Sequence, residues 1–306
     1  TGTSNVAMGS FALLSNTTGD ENTALGQNSL DANTTANANT AVGFNALTEN
    51  TTGANNTGVG RTALSSSTTG SSNTALGKDA LATNTTADNN TAVGRSALVS
   101  NSTGANNTAV GMNALDANTS ADNNTAVGKS ALTENTTGTR NTSVGALCMD
   151  ANTTANDNTA VGYDAMGQNT TGEKNTALGT YAFDANTTGS SNVAVGRAAL
   201  SANTTADHNT AIGFQAMDVN TTGAQNTAVG SGALDACTTA DANTAVGYLA
   251  ATALTTGAQN TAIGMAAAEV LTEGSDNIVI GHDAADNLTT GGQNIAIGVD
   301  TSLSAA

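Results

Sequence analysis

The sequence repeats itself every 17 residues, and this period constrains the fold more than any other feature. The chain of 306 residues holds 18 repeats, numbered here as coils 1–18, and position 1 of each coil is an Asn, from Asn5 to Asn294. The consensus is N-T-A-V-G-x-x-A-L-x-x-N-T-T-G-x-x, and residues 39–55 are a clean copy. Helical hairpin repeats need more than about thirty residues, so this period favours the coils of a parallel β-solenoid.

Within each coil, the pattern predicts two short strands joined by two tight turns. Positions 1–5 (N-T-A-V-G) indicate the first strand, and positions 8–14 (A-L-x-x-N-T-T) indicate the second, because β-branched residues favour strands. We therefore expect an all-β protein, a parallel β-solenoid of 18 coils in which each coil is one sequence repeat long. Coils stacked about 4.8 Å apart would form a rod roughly 85 Å long.

Glycine marks the turns of the predicted coil. Position 5 is Gly in every coil, as at Gly43 and Gly94, which implies a positive φ or the close approach of another backbone segment. Position 15 is Gly in eleven coils and Ala in six, and the residue after each of those Ala residues is Asn or Asp. Because Gly, Asn and Asp tolerate left-handed dihedrals, we interpret this as one turn whose left-handed residue moves by one place.

Two columns of Asn are expected to stack as ladders along the solenoid. Position 1 is Asn in all 18 coils, for example Asn39 and Asn90. Position 12 is Asn in 12 of the first 13 coils, for example Asn50 and Asn101, with Ser67 as the exception. Stacked amides hydrogen-bond along such a ladder, as they do in cross-β assemblies.

The first strand is restricted on both faces, which predicts contact with another chain. Position 3 is Ala in 15 of 18 coils, and position 4 is always a sizeable apolar residue. These two side chains point to opposite faces of a strand. A face open to solvent would vary, so we expect cover on both faces. The most direct cover is a second copy of the chain, and the sequence therefore predicts a homo-oligomer.

The N-T-A-V-G-x-x-A-L segment resembles the head repeats of YadA-like trimeric autotransporter adhesins, most closely at residues 277–281 (NIVIG) and 294–298 (NIAIG). The whole repeat is even more similar to the N-T-A-x-G-x-x-A-L-x-x-N-T-T-G arrays of tail-fibre proteins. The resemblance covers the whole chain and implies a homotrimer of left-handed β-rolls in an extracellular, cell-surface or virion fibre. The adhesin repeat is usually shorter than the repeat of this chain, so the turn geometry is expected to differ.

Composition narrows the classes of function. The chain has 7 Lys and Arg against 24 Asp and Glu, a formal charge of -17, which argues against nucleic acid or anionic membranes as partners. No apolar run approaches the roughly 20 residues of a membrane helix, so we expect no membrane insertion. His208 and His282 are isolated in the sequence and no catalytic triad recurs, so we predict no enzyme activity, no cofactor and no metal.

Positions 6 and 7 form the variable corner of the coil and hold most of the basic and aromatic residues. Arg and aromatic side chains are enriched in interfaces, which favours a stripe that binds a host receptor or glycan. The alternative is a solvated corner that is free to drift, and we favour it because no single pattern persists along the corner. The candidate binding residues are Phe44, Arg61, Arg95, Tyr163, Tyr181, Phe214 and Tyr248.

Three further columns carry weaker signals. Thr ladders at positions 2 and 14 indicate ice binding as an alternative function, although Thr residues at positions 13 and 14 would point to opposite faces of a strand. Position 10 carries seven Asp residues, which we interpret as exposed turn acids, because one carboxylate per coil is too few for Ca²⁺. Cys148 and Cys237 lie five coils apart, about 24 Å, too far for a disulfide, and are expected to be buried free thiols.

The array changes from coil 14 onward, over residues 226–306, although residues 1–306 are expected to form a single array. At position 12, Asn is replaced by Leu254, Leu271 and Leu288, while at position 9 Leu is replaced by Ala. The large apolar side chain therefore moves from position 9 to position 12. The first coil shows no cap, and solenoids need capped ends. We therefore expect a longer natural chain or end-to-end stacking of copies.

These observations predict a structural, non-enzymatic segment of an extracellular fibre: a surface appendage, an adhesin head or a tail-fibre shaft. Ice binding by Thr ladders is the alternative.

Overall fold

The computed structural model describes residues 2–303 and has one short parallel β-strand in every coil. The chain divides into two compact units, Thr1–Ala155 and Asn156–Ala306. Within each unit the strands form a β-solenoid in which every turn spans one sequence repeat. This confirms the predicted all-β parallel solenoid and its period, whereas the left-handed sense, the trimer and the single-array organisation stay predictions.

The strands occupy positions 2–4 of each coil and pair in register with the strand one repeat away. In unit 1, Thr40 pairs with Thr57 and Val42 with Val59. The strands of unit 1 are β1 (Val6–Met8), β2 (Thr23–Leu25), β3 (Thr40–Val42), β4 (Thr57–Val59), β5 (Thr74–Leu76), β6 (Thr91–Val93), β7 (Thr108–Val110), β8 (Thr125–Val127) and β9 (Thr142–Val144). Those of unit 2 are β10 (Thr159–Val161), β11 (Thr176–Leu178), β12 (Val193–Val195), β13 (Thr210–Ile212), β14 (Thr227–Val229), β15 (Thr244–Val246), β16 (Thr261–Ile263), β17 (Ile278–Ile280) and β18 (Ile295–Ile297).

The prediction of a second strand is wrong, because positions 8–14 contain no strand in the described residues, and positions 8–11 form turns in coils 1–17. The Leu at position 9 has left-handed dihedrals, with φ of 50° at Leu47 and 51° at Leu98. Backbone hydrogen bonds still join adjacent coils at these turns: the N–H of Leu47 donates to the carbonyl of Ala63 at 3.0 Å. The polar backbone of the turn is thus satisfied by the neighbouring coil instead of by a second ladder.

Position 5 needs glycine for both of the reasons that the sequence suggests. Gly94 has a φ of 138°. A Cβ added to Gly94 would lie 2.4 Å from the carbonyl oxygen of Gly111 in the next coil, closer than van der Waals radii permit. These glycines therefore end the strands and let the backbones of neighbouring coils approach.

The left-handed residue of the second predicted turn lies at position 17, which corrects the prediction for positions 15 and 16. Its φ is 57° at Ala38 and 61° at Asn55. Position 15 is restricted by crowding instead, since a Cβ at Gly53 would lie 2.1 Å from the Gly70 carbonyl oxygen. Where position 15 is Ala, the side chain at position 16 accepts a backbone N–H from the preceding coil, as at Asn37, Asp88, Asp122, Asp207 and Asp241.

A narrow core runs through each unit and is built from small apolar side chains and amides. In coil 3, Ala41, Ala46 and Leu47 are fully buried together with Asn39 and Asn50. Each coil therefore buries little apolar surface, and its amides must be satisfied by hydrogen bonds inside the core.

Coils 15 and 16 of the divergent region keep this core, because a larger residue at position 12 accompanies a smaller one at position 9. In coil 15, Leu254 at position 12 and Ala251 at position 9 are both buried, and coil 16 repeats the arrangement with Leu271 and Ala268. Both positions point into the same core, so a larger residue at position 12 compensates for a smaller one at position 9.

Candidate functional site

The outward face of the strands forms a regular surface on each unit. Position 3 is buried, as at Ala75, whereas positions 2 and 4 face outward in the same strand. The apolar side chains at position 4 are half-buried where the residue is Val, as at Val93, but Leu76 and Leu178 are each 47% exposed and Ile212 is 39% exposed. The prediction that positions 3 and 4 point to opposite faces is thus confirmed, and cover by a second copy stays a prediction.

We call the column of position-4 side chains the outer stripe. Parallel in-register pairing places each member beside the next, as with Val93 and Val110 or Ile212 and Val229. A contiguous apolar strip of this kind is unusual on a monomeric protein surface. The outer stripe comprises Met8, Leu25, Val42, Val59, Leu76, Val93, Val110, Val127 and Val144 in unit 1 and Val161, Leu178, Val195, Ile212, Val229, Val246, Ile263, Ile280 and Ile297 in unit 2.

The position-1 Asn residues form a buried ladder that joins each coil to both neighbours. The Asn90 side chain accepts the backbone N–H of Asn107 through Oδ1 at 2.9 Å and donates from Nδ2 to the carbonyl of Gly104 at 2.9 Å. The Asn90 backbone N–H in turn donates to Oδ1 of Asn73 at 2.9 Å. Asn39 has the same three bonds, so both ends of each amide are used.

The position-12 Asn residues form a second ladder, made from side chain to side chain. Nδ2 of Asn101 donates to Oδ1 of Asn84 at 3.2 Å and to the carbonyl of Gly104 at 2.9 Å, and Nδ2 of Asn118 donates to Oδ1 of Asn101 at 2.7 Å. The two ladders therefore meet at the position-15 carbonyl, here that of Gly104. The predicted stacking of Asn50 and Asn101 is thus confirmed, and the ladder lies inside the core.

The second ladder has two breaks, and each leaves a buried acceptor without a partner. Ser67 and Cys237 replace Asn at these breaks. Of the described residues, the buried polar atoms that lack a hydrogen bond include Oδ1 of Asn50 and Oδ1 of Asn220, which precede the two breaks, and Oγ of Ser67 itself. An unmade buried hydrogen bond costs roughly 1–3 kcal/mol, so the break at Ser67 is a local weak point.

Replacing Ser67 with Asn should stabilise the protein by about 1–2 kcal/mol, because the new amide can donate to Asn50 and accept from Asn84. Urea unfolding at a fixed protein concentration measures the change. The matched control is Ser66→Asn, the same substitution one residue off the ladder, for which we expect a change within about 0.5 kcal/mol. Equal effects of the two substitutions would show that closing the ladder is not the cause.

The candidate residues of the corner at positions 6 and 7 are exposed as predicted, although position 7 is half-buried in most coils, and several corner residues pair between adjacent coils. In unit 1, the guanidinium of Arg61 lies 6.0 Å from the ring centroid of Phe44. In unit 2, Arg197 lies 5.6 Å from the ring of Phe214, which is within the range of a cation–π contact. These cations therefore cover aromatic faces of their own chain.

The remaining four corner candidates are three tyrosines and one arginine. Tyr163 and Tyr181 make an edge-to-face contact with ring centroids 5.5 Å apart, and the neighbouring Tyr181 raises the pKa of Tyr163. Arg95 lies against the sulfur of Met112 at 3.4 Å, and Tyr248 is 56% exposed. The structure thus brings two pairs of candidates together, Phe44 with Arg61 and Tyr163 with Tyr181, and receptor binding by the corner candidates stays a prediction.

The position-10 Asp column lies closer to the core than predicted. Six of these residues are half-buried and only Asp286 is exposed, so the expectation of exposed turn acids is wrong for the others. Burial, and then the negative charge of Glu134, raises the pKa of Asp116. Burial, and then the negative charge of Asp218, raises the pKa of Asp235. The half-buried members are Asp31, Asp116, Asp150, Asp184, Asp218 and Asp235.

The two cysteines are buried, as predicted from the residues they replace. Cys148 stands at position 8 and Cys237 at position 12, and both sulfurs are thiols. Burial raises the pKa of the Cys237 thiol to about 11. The nucleophilic thiolate is therefore scarce at neutral pH.

His282 has acidic neighbours that sequence inspection missed. Its Nδ1 lies 3.2 Å from Oδ2 of Asp283 and 3.8 Å from Oδ1 of Asp300. Asp283 and Asp300 share position 7 of consecutive coils, and this one-repeat spacing is the signal that could have predicted the contact. The interpretation of His282 as isolated is therefore corrected.

In the part of the chain that the structure describes, no helix has the length and apolarity needed to cross a lipid bilayer. A comparison of the sequence with models of known protein families and with curated proteins found no match.

Proposed function

We propose that this chain is a structural, non-enzymatic segment of an extracellular fibre, at a cell surface or on a virion, where it serves as a shaft or an adhesin head. The observation that carries the proposal is the outer stripe, which repeats one outward-facing apolar side chain per coil in each unit, half-buried where it is Val and exposed where it is Leu. The two Asn ladders support the proposal, because the most regularly repeated residues of the chain serve to hold adjacent coils together. The resemblance to adhesin heads and tail-fibre arrays adds the extracellular setting.

In this proposal, the outer stripe of each chain is covered by other copies of the same chain, and three copies form a homotrimer. Copies that lie side by side share the same coil spacing, so every position-4 side chain meets an equivalent neighbour. An axial arrangement of identical chains repeats one contact at every coil, and buried apolar area then accumulates with length. The corner residues, including Phe44 and Tyr248, remain outward for contact with a host receptor or glycan.

The Val127→Glu substitution tests this assembly, because it places a carboxylate in the outer stripe between Val110 and Val144. We expect the mass in solution, measured by sedimentation equilibrium, to fall from three chains of 29.7 kDa toward one chain. Burying an unpaired charge in an apolar contact costs several kcal/mol, which is enough to dissociate a weak assembly.

The matched control is Lys129→Gln, which changes the net charge by the same amount at an exposed corner of the same coil. We expect this variant to keep the mass of the unmodified chain. Circular dichroism separates loss of assembly from loss of fold. A monomeric unmodified chain would contradict the homotrimer, and so would a Val127→Glu variant that keeps three chains.

Ice binding is the second candidate, and one observation favours it. Thr at position 2 and the apolar residue at position 4 face outward together, as at Thr91 and Val93, in a regular parallel register. The position-13 Thr hydroxyls are instead directed to backbone carbonyls, as from Thr51 to Thr68 at 2.9 Å. Thermal hysteresis separates the two functions: its presence, and its loss in Thr91→Leu, would support ice binding over the fibre.

A further inference from the structure

A three-residue cluster lies at the corner of coils 17 and 18, away from the outer stripe. His282 and Asp283 occupy positions 6 and 7 of coil 17, and Asp300 occupies position 7 of coil 18. One potential ligand atom from each lies within 4.8 Å of the other two. The backbone N–H of Asp300 donates to the carbonyl of His282 at 2.9 Å, which holds the two levels together.

The distances within this cluster suit a shared cation. Nδ1 of His282 lies 3.2 Å from Asp283 and 3.8 Å from Asp300. An ion that binds nitrogen and oxygen at about 2.0–2.2 Å holds its ligand atoms roughly 3–3.5 Å apart, so a small adjustment of exposed side chains closes the site. One imidazole and two carboxylates are a ligand set for Zn²⁺ or a similar transition metal, whereas Ca²⁺ takes about 6–8 oxygens.

The same corner holds a cation elsewhere in the array. In coil 5, positions 6 and 7 are Lys78 and Asp79, and Nζ of Lys78 lies 2.6 Å from Oδ2 of Asp79. Coil 17 repeats the position-7 carboxylate and adds a second one from coil 18, but position 6 supplies an imidazole instead of an ammonium group. No Lys or Arg follows Arg197 in the sequence, while eight Asp and two Glu do.

We propose that His282, Asp283 and Asp300 bind a divalent transition-metal ion of the Zn²⁺ type, which supplies the positive charge that Lys78 supplies in coil 5. All three side chains are solvent-accessible, so the ion can enter from water and complete its coordination with water molecules. The ion joins coil 17 to coil 18 through Asp300, in addition to the backbone bonds. This proposal does not depend on the fibre function.

Isothermal titration of the full chain with ZnCl₂ tests the proposal. We expect one saturable site per chain, at least tenfold weaker in His282→Ala and in Asp300→Asn, with circular dichroism to verify that each variant folds. The matched control is His208→Ala, which removes the other histidine and should bind Zn²⁺ as the unmodified chain does. An excess of Mg²⁺ should not displace the ion.

Three outcomes would overturn the proposal. They are the absence of saturable binding, unchanged affinity in the folded His282→Ala variant, and equal competition by Mg²⁺, which would indicate general attraction to an acidic surface.

Discussion

Replacing Gly94 with Ala should destabilise the protein by roughly 3–5 kcal/mol, the largest effect that we expect from removing or adding a single methyl group. Gly94 has a φ of 138°, and an added Cβ would lie 2.4 Å from the oxygen and 2.6 Å from the carbon of the Gly111 carbonyl. The backbone atoms of the next coil cannot move aside without breaking the hydrogen bonds that this coil makes. Urea unfolding at a fixed protein concentration measures the loss.

The chain provides a matched control for this substitution. Gly58 stands at position 3, where most other coils carry Ala, and its added Cβ would meet Ala63 and Leu47 at 3.3–3.4 Å. Gly58→Ala should be neutral or stabilising by about 0.5–1 kcal/mol, because it restricts the unfolded chain. If Gly94→Ala were as well tolerated as Gly58→Ala, the close stacking of coils at position 5 would be wrong.

The second large effect is expected at the position-1 ladder. Asn107→Ala removes the acceptor of the Asn124 N–H, at 2.9 Å, and the donor to the Ala121 carbonyl, at 2.8 Å. Because these groups are buried, we expect a loss of roughly 2–4 kcal/mol in urea unfolding. The control is Asn106→Ala, at the exposed position 17, where Ala38 shows that Ala is accepted; it should cost less than about 1 kcal/mol.

The Asn107→Asp variant separates hydrogen bonding from packing, because it preserves shape. It keeps an acceptor for Asn124 but places a buried carboxylate oxygen against the Ala121 carbonyl. Burial raises the pKa of such a carboxyl above its unfolded value, so the folded variant retains a proton at higher pH than the unfolded one. Its stability should therefore rise as the pH falls toward about 4. A loss independent of pH would contradict the buried ladder.

The coil could be predicted from the sequence because the repeat period and the Gly at position 5 both constrain the backbone directly. A Gly at the same position in every coil, such as Gly43 or Gly94, leaves few conformations other than a strand end with positive φ. The Asn ladders were predictable for a similar reason, since an amide in every coil can donate to one neighbour and accept from the other. These features depend on contacts between identical positions, which a strict repeat reveals directly.

The second strand was predicted wrongly because strand propensity competes with a left-handed turn. Position 9 carries Leu, Met, Phe or Ala in coils 1–17 and never Val, Ile or Thr, although β-branched residues dominate position 4. Left-handed dihedrals are especially costly for β-branched residues, so this exclusion was the signal. Position 17 shows the same exclusion, but its polar variety, from Asn55 to Lys174, concealed it.

The candidate sites likewise include one that the sequence could predict and one that it did not. The outer stripe was predictable because one apolar residue recurs in every coil. The contact of His282 with Asp283 and Asp300 was not predicted, because it arises once, between two coils, and its one signal is the one-repeat spacing of the two Asp residues.

The spacing of successive coils is the most direct test of the parallel in-register solenoid. Electron cryomicroscopy or diffraction from aligned assemblies should give an axial repeat of about 4.8 Å, with one sequence repeat in each layer. An axial repeat of about 5.4 Å, the pitch of an α-helix, or layers that hold more or less than one repeat would contradict the account.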